Sequence, residues 1–158
     1  MEIEELFGLP AHPLVVHAAV VLLPLAAIAT VVCAAVPRWR RAYAPLALVA
    51  AVLALGAVLF AQGSGEKLEH DVRKTALVRE HTEQGERVLP WAIGVTVVAI
   101  AVTAAPSLAR RRPGIDGKGA TAALVALALV AGGGAVFTTV RTGHSGAKAT
   151  WNNVREDD

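Results

Sequence analysis

The sequence predicts an all-α integral membrane protein, a four-helix bundle made of two helical hairpins. Of its 158 residues, 54% are hydrophobic, and most of them fall in long runs without charge. Four of these runs are long enough to cross the roughly 30 Å of bilayer hydrocarbon as helices. None shows the alternation of apolar and polar residues that is typical of transmembrane barrel strands. Because lipid cannot hydrogen-bond backbone N–H and C=O groups, the runs are expected to form helices, which pair these groups internally. We therefore expect a single domain over 1–158, and not a soluble globular fold.

Run length places the four spans. A transmembrane helix needs about 20 apolar residues, and the spans are approximately Pro13–Val36, Tyr43–Gln62, Val88–Pro106 and Ala120–Val140. The first run is longer than the apolar core of a signal peptide and follows an acidic tail, so we expect it to be retained. Cys33, the only cysteine, lies deep in this first span, where core packing is the expected role.

An amphipathic outer helix is predicted between the second and third spans, over residues 66–92, running directly into the third span. His70 and His81 are eleven residues apart, which returns to nearly the same helix face. From His81 this face continues through four apolar positions, which are Val88, Ala92, Val95 and Ala99. His81 is therefore expected on the inward face of the third helix. The alternative is a solvated helix with two surface histidines.

Two short basic loops predict how the chain is threaded. The link between spans one and two carries Arg38, Arg40 and Arg41, and the link between spans three and four carries Arg110, Arg111, Arg112 and Lys118. Such loops stay in the cytoplasm, so both termini are expected outside, with all five histidines on the outer side. The alternative is that these arginines form a patch that binds lipid headgroups or nucleic acid. Because they lie beside transmembrane helices, a role in orienting the chain across the membrane is favoured. Nothing else in the sequence indicates nucleic-acid binding.

The two hairpins resemble each other in sequence. "AAVPRWRR" (34–41) is echoed by "AAPSLARRR" (104–112), and "SGEK" (64–67) by "SGAK" (145–148). A duplicated hairpin would relate the copies by an axis along the membrane normal. Aligning Pro37 with Pro106 also aligns His12 with His81. Coincidence is the alternative, since Ala, Gly and Arg are common in this chain.

His17 lies about one turn inside the first span. Polar residues at that depth are costly and turn toward the bundle interior. The alternative is a neutral imidazole that bonds a backbone carbonyl of a neighbouring helix. His12 lies 140° around the helix from His17 and is expected at the rim. After the fourth span, Gly143 and Gly146 predict a tight turn that brings His144 to the same rim.

Imidazoles on facing helices are the usual way in which bundles hold haem, and imidazole also suits copper and zinc. The first-choice ligands for haem b are His17 and His81, with His144 and His12 in reserve; His17, His81 and His144 are the candidates for a copper or zinc ion. The run "AGGGA" (131–135) offers room for haem, or equally for close helix packing. No CxxCH occurs, which excludes covalent c-type attachment. No catalytic residue is assigned, because Ser145 lacks the GxSxG context of a hydrolase.

The opening "GLPAHPLVVHAAVVLLPLA", with its HPxxVH pattern, together with "SGEKLE", "REHTEQGERVLPWA" and "GHSGAKATW", resembles the bacterial membrane proteins grouped as domain of unknown function 2231. The resemblance covers nearly the whole chain. Its motif positions are His12, Pro13, His17, His81, Gly143, His144, Ser145, Gly146 and Trp151. It implies a four-helix protein of the bacterial cytoplasmic (inner) membrane with its histidine motifs on one side, and it implies no settled activity.

The functional expectation is a lipid-embedded carrier of haem b or a transition metal for electron transfer, working with a redox partner. Small-residue faces also suggest homodimer formation. The alternative is a non-enzymatic permease-like or assembly protein whose histidines brace helices or sense protons.

Overall fold

The computed structural model describes residues 5–6, 9–71, 75–111 and 117–155, and within them helices form almost the whole fold. The helices are α1 (Ala11–Ala35), α2 (Pro37–Asp71), α3 (Ala76–Glu86), α4 (Val88–Arg111) and α5 (Lys118–Arg155). A two-residue antiparallel pairing of β1 (Glu5–Leu6) with β2 (Leu9–Pro10) precedes α1.

Four helical segments are long and apolar enough to cross a membrane, which confirms the predicted number of helices that could span it. They are Leu14–Ala35, Pro37–Glu69, Ala76–Arg111 and Lys118–Trp151. The helices α1 and α4 each pack against both α2 and α5, and they also meet across the centre of the bundle. The short helix α3 packs mainly on α5. The result is two hairpins, α1–α2 and α3/α4–α5, that together enclose one core.

Small side chains hold the bundle together. Along α2, alanines three or four residues apart are buried, namely Ala44, Ala47, Ala51 and Ala54, whereas leucines such as Leu46 and Leu53 point outward. Lipid is as apolar as leucine, so helices associate through close packing, which small residues permit. The hydroxyl of Thr103 adds a hydrogen bond from α4 to the carbonyl of Ala44, at 3.1 Å.

The predicted inward face of the third span is confirmed. Val88, Ala92, Val95 and Ala99 are all buried, and Ala92 is fully so. Cys33 is buried in α1, which confirms its predicted place in the core.

The predicted single helix over 66–92 is wrong. Its beginning belongs to α2, which continues to Asp71, and a separate helix α3 begins at Ala76. Thr75 caps α3, because its hydroxyl accepts a hydrogen bond from the backbone N–H of Val78 at 3.2 Å. His70 and His81 therefore lie on different helices and share no helix face.

The predicted turn after the fourth span is also wrong. The helix α5 continues through Gly143 and Gly146 to Arg155. Glycine permits a turn, but it also permits another group to approach the helix closely. Close approach is what the structure shows at Gly146, where the imidazole of His81 in α3 packs against the backbone of α5.

Candidate functional site

Two histidines lie at the end of the bundle opposite the arginine loops, each wedged against the neighbouring helix of its hairpin. His12 is the second residue of α1, and His81 lies in the middle of α3. Both imidazoles are half-buried.

His12 contacts the last turns of α2. Its Nδ1 atom lies 3.1 Å from the carbonyl oxygen of Ala61 and 3.0 Å from the hydroxyl of Ser64. The Ser64 hydroxyl donates its own hydrogen to the same carbonyl at 3.1 Å. The ring lies so close to α2 that a Cβ atom added to Gly65 would be 3.0 Å from the ring atom Cε1. Glycine is therefore what lets the imidazole reach the α2 backbone.

His81 makes the same set of contacts with α5. Its Nδ1 atom lies 3.1 Å from the carbonyl oxygen of Thr142 and 3.3 Å from the hydroxyl of Ser145. Ser145 donates to that carbonyl at 2.9 Å. A Cβ atom added to Gly146 would lie 2.9 Å from Cε1 of the ring.

The two hairpins thus repeat one constellation of histidine, carbonyl, serine and glycine. His12 precedes its serine by 52 residues and His81 precedes its serine by 64. The first residues of α2 and α5, Pro37 and Lys118, both precede their serine by 27 residues. The extra twelve residues therefore lie before α5, in the longer end of α4 and in its connection to α5. The repeated contacts support the predicted duplication and the alignment of His12 with His81.

The carbonyl contacts assign the tautomer of both rings. A carbonyl oxygen can only accept a hydrogen bond, so the proton of each neutral imidazole is on Nδ1 and is donated to Ala61 or Thr142. The other ring nitrogen, Nε2, then carries a free lone pair. Donation of one ring N–H to a backbone carbonyl is also how metal-ligating histidines are oriented. Within the described residues, no hydrogen bond to Nε2 of either ring is found.

Burial lowers the pKa of His12 below its ordinary value. The hydrogen bond to Ala61 opposes this effect, and positive charge on His81 adds to it. His12 is therefore neutral at pH 7, which is the form of imidazole that binds metals.

The other predicted ligands do not join this pair. His17 is exposed on α1, so the expectation that it faces the bundle interior is wrong. The 140° separation of His12 and His17 holds, but it is His12 that faces the protein. His144 is exposed on α5, because the continuous helix turns it away from the neighbouring Ser145, which is buried. The side chain of His70 lies outside the described residues.

The roles of Ser64, Gly65 and the carbonyls of Ala61 and Thr142 were not predicted from the sequence. The repeated Ser–Gly pair of "SGEK" and "SGAK" was the available signal for them. For Ser145, the structure gives a supporting role: its hydroxyl donates to Thr142, and the facing Nδ1 carries a proton and cannot serve as its base.

The run "AGGGA" is used for helix packing. A Cβ atom on Gly134 would lie 2.2 Å from the indole of Trp91, and one on Gly132 would lie 3.3 Å from the Cβ of Ala27. The bundle interior at this level is filled by α1 and by Trp91. Toward the histidine end, α5 carries two buried hydroxyls, Thr139 and Thr142, that have no hydrogen-bond partner within the described part of the chain.

A family model described as "Predicted membrane protein (DUF2231)" matches residues 8–155. The chain belongs to this family. The match includes both hairpins and both histidine constellations of the DUF2231 protein, and it confirms the resemblance drawn from the sequence motifs. No curated protein and no solved structure matches the chain.

Proposed function

We propose that this DUF2231 protein binds a redox-active metal centre, with haem b as the first candidate, through the Nε2 atoms of His12 and His81, and that it transfers electrons. One observation carries the proposal: two equivalent imidazoles, each held through Nδ1 by a carbonyl and a serine, keep Nε2 unprotonated. The ligand pair differs from the first choice made on sequence, because His17 is exposed and His12 takes its place.

The number of ligands favours haem over a bare ion. Among the residues that the structure describes, no group of three or more His, Cys, Asp or Glu side chains could hold a metal. A structural zinc site needs four protein ligands and a catalytic one three. Haem supplies four nitrogen ligands of its own and needs two axial imidazoles from the protein. Copper or zinc at the same pair would need further ligands from outside it.

Access for a planar group lies at the outer end of the bundle. The helices α1 and α3 pack against other helices rather than against each other. A planar group would therefore enter between α1 and α3 while α3 keeps its packing on α5. The unpartnered Thr142 hydroxyl offers a polar group beside His81. Trp91 fills the interior, so the group would lie between the histidines and not beside the glycine run.

The test is an absorption spectrum with elemental analysis of the full chain, produced with haem supplied and purified in mild detergent. Haem binding predicts an intense Soret band, sharp visible bands on reduction, and one iron per chain. Stoichiometric copper or zinc without iron would support the metal site and reject haem. A colourless protein with background metal would reject both.

A second candidate has its own observation. The Nδ1 contacts tie α1 to α2 and α3 to α5, so the histidines could serve as helix braces or proton sensors without a metal. An asparagine can donate an N–H from a similar position but cannot replace Nε2 as a ligand. If bracing is the function, His81→Asn keeps the stability that His81→Ala loses. If metal binding is the function, both variants lose the metal.

The remaining parts of the proposal follow from the electron-carrier role. A redox partner would dock at the histidine end, which we place outside the bacterial cytoplasmic membrane together with both termini. A homodimer would use the open apolar groove between α1 and α5 at Gly133.

A further inference from the structure

Arginines that are far apart in the sequence, at the beginning of α2 and at the end of α4, line one cavity at the end of the bundle opposite the histidines. The cavity has a volume of about 540 Å³. The beginning of α2 contributes Arg38, Arg40 and Arg41, the end of α4 contributes Arg110, and α5 contributes Thr121. The volume lies within the roughly 300–1,000 Å³ of small-ligand sites.

Arg40 forms the fixed part of this cavity. It is buried, and its guanidinium donates to the carbonyl oxygens of Cys33 and Ala34 at the end of α1. These bonds satisfy carbonyls that a helix end leaves without partners. They also hold the corner between α1 and α2, so the cavity wall is set by the fold itself.

Three further guanidinium groups have no such partners among the described residues. Arg38, Arg41 and Arg110 are exposed, and none forms an ion pair with a carboxylate in the described part of the chain. Among the described residues that line the cavity there are four arginines and no Asp or Glu. These four guanidinium groups concentrate positive charge on the described lining of the cavity.

We propose that this cavity binds the phosphate group of an anionic phospholipid headgroup. Arginine presents a planar fork of donors that fits phosphate oxygens, and basic pockets between transmembrane helices are suited to such headgroups. The cavity lies where the span Leu14–Ala35 ends and the span from Pro37 begins, which is the level of headgroups in a bilayer. Loop charge for topology would need neither a shared cavity nor arginine in place of lysine. The site does not depend on the proposed function at the histidines.

The experiment measures lipid binding to the full-length protein in mild detergent by native mass spectrometry. Phosphatidylglycerol, phosphatidylcholine and inorganic phosphate are titrated separately, and phosphate is then titrated against bound phosphatidylglycerol. The test variant is Arg38→Gln/Arg41→Gln/Arg110→Gln, which keeps Arg40 and its hydrogen bonds. The matched control removes three arginines at the histidine end, as Arg79→Gln/Arg87→Gln/Arg141→Gln.

Three results together would support the proposal: one phosphatidylglycerol held tightly per chain, little bound phosphatidylcholine, and phosphatidylglycerol binding weakened about tenfold or more in the test variant alone. Loss of one hydrogen bond to a charged group already accounts for about a tenfold weaker affinity. If inorganic phosphate binds tightly and displaces bound phosphatidylglycerol at equal or lower concentration, the site belongs to a soluble phosphate and the lipid proposal is overturned. Equal affinity for the two lipids, or equal loss in test and control variants, would overturn the proposal. Circular dichroism of both variants verifies that they fold.

Discussion

Replacing Gly146 with alanine perturbs the histidine constellation at one atom. The new Cβ would lie 2.9 Å from Cε1 of His81, whereas carbon atoms in good contact are roughly 3.5–4.0 Å apart. The ring must therefore move away from α5 by about 0.6–1.1 Å. Because Nδ1 is already 3.1 Å from the carbonyl oxygen of Thr142, this movement takes the pair beyond hydrogen-bonding distance.

The cost can be estimated against a matched control. Loss of the hydrogen bond costs about 0.5–1.5 kcal/mol, and overpacking costs about 1–3 kcal/mol. Alanine gains about 1 kcal/mol over glycine through helix propensity. Gly143→Ala has the same gain with nothing within 4 Å of its new Cβ. Since the propensity gain cancels between the two variants, we expect Gly146→Ala to be less stable than Gly143→Ala by roughly 2–4 kcal/mol.

The assay is reversible unfolding of the purified protein in mixed micelles with increasing sodium dodecyl sulfate, followed by circular dichroism. A double-mutant cycle adds His81→Ala, which removes the ring that Gly146→Ala would displace. In that background the alanine should cost nothing. Equal stabilities of Gly146→Ala and Gly143→Ala, or the same cost with and without His81, would refute the proposed ring placement.

In Gly134→Ala the new Cβ would overlap the indole of Trp91, so the bundle should be destabilised by about 3 kcal/mol or more. In Gly133→Ala the new Cβ has nothing within 4 Å, so this control should be neutral or stabilising in the same unfolding assay. Burial lowers the pKa of His12 in the folded protein, so the unfolded chain binds the proton more readily. The free energy of unfolding should therefore fall as the pH drops from 6.5 toward the folded-state pKa. In His12→Gln, the free energy of unfolding should depend less on pH over this range. A membrane-impermeant thiol reagent added to intact cells should label a cysteine at Ala147 and spare one at Ser107, both exposed positions; the opposite pattern would reverse the predicted threading.

The fold was largely predictable because membrane insertion depends on run length and charge. Apolar runs fixed the number of spans, and the face through Val88, Ala92, Val95 and Ala99 was predicted correctly from helical periodicity. Helix ends were harder to predict. The sequence around Gly146 is compatible with a turn, but α5 continues through it. The glycine is used for a contact with a histidine 65 residues earlier in the chain, which its local sequence does not show.

The site was predictable only in part. His81 was chosen for its helix face, and His12 appeared through its alignment with His81, but depth in the membrane pointed to His17. Depth gives the cost of burying a polar group and not its direction. Three residues of α2 decide the direction: Ala61 offers a carbonyl, Ser64 offers a hydroxyl, and Gly65 leaves the space for the ring to reach them. That information lies in the pairing of two helices, which one helix read alone does not contain.

The central claim is that His12 and His81 form one site with equivalent ligands. The most direct test measures haem and metal per chain in the wild type and in four single variants, His12→Ala, His81→Ala, His17→Ala and His144→Ala, all produced with haem supplied. We predict one centre per chain that is lost in His12→Ala and in His81→Ala alike and is retained in the other two. Loss in His17→Ala with retention in His12→Ala, or no bound centre in the wild type, would contradict the claim.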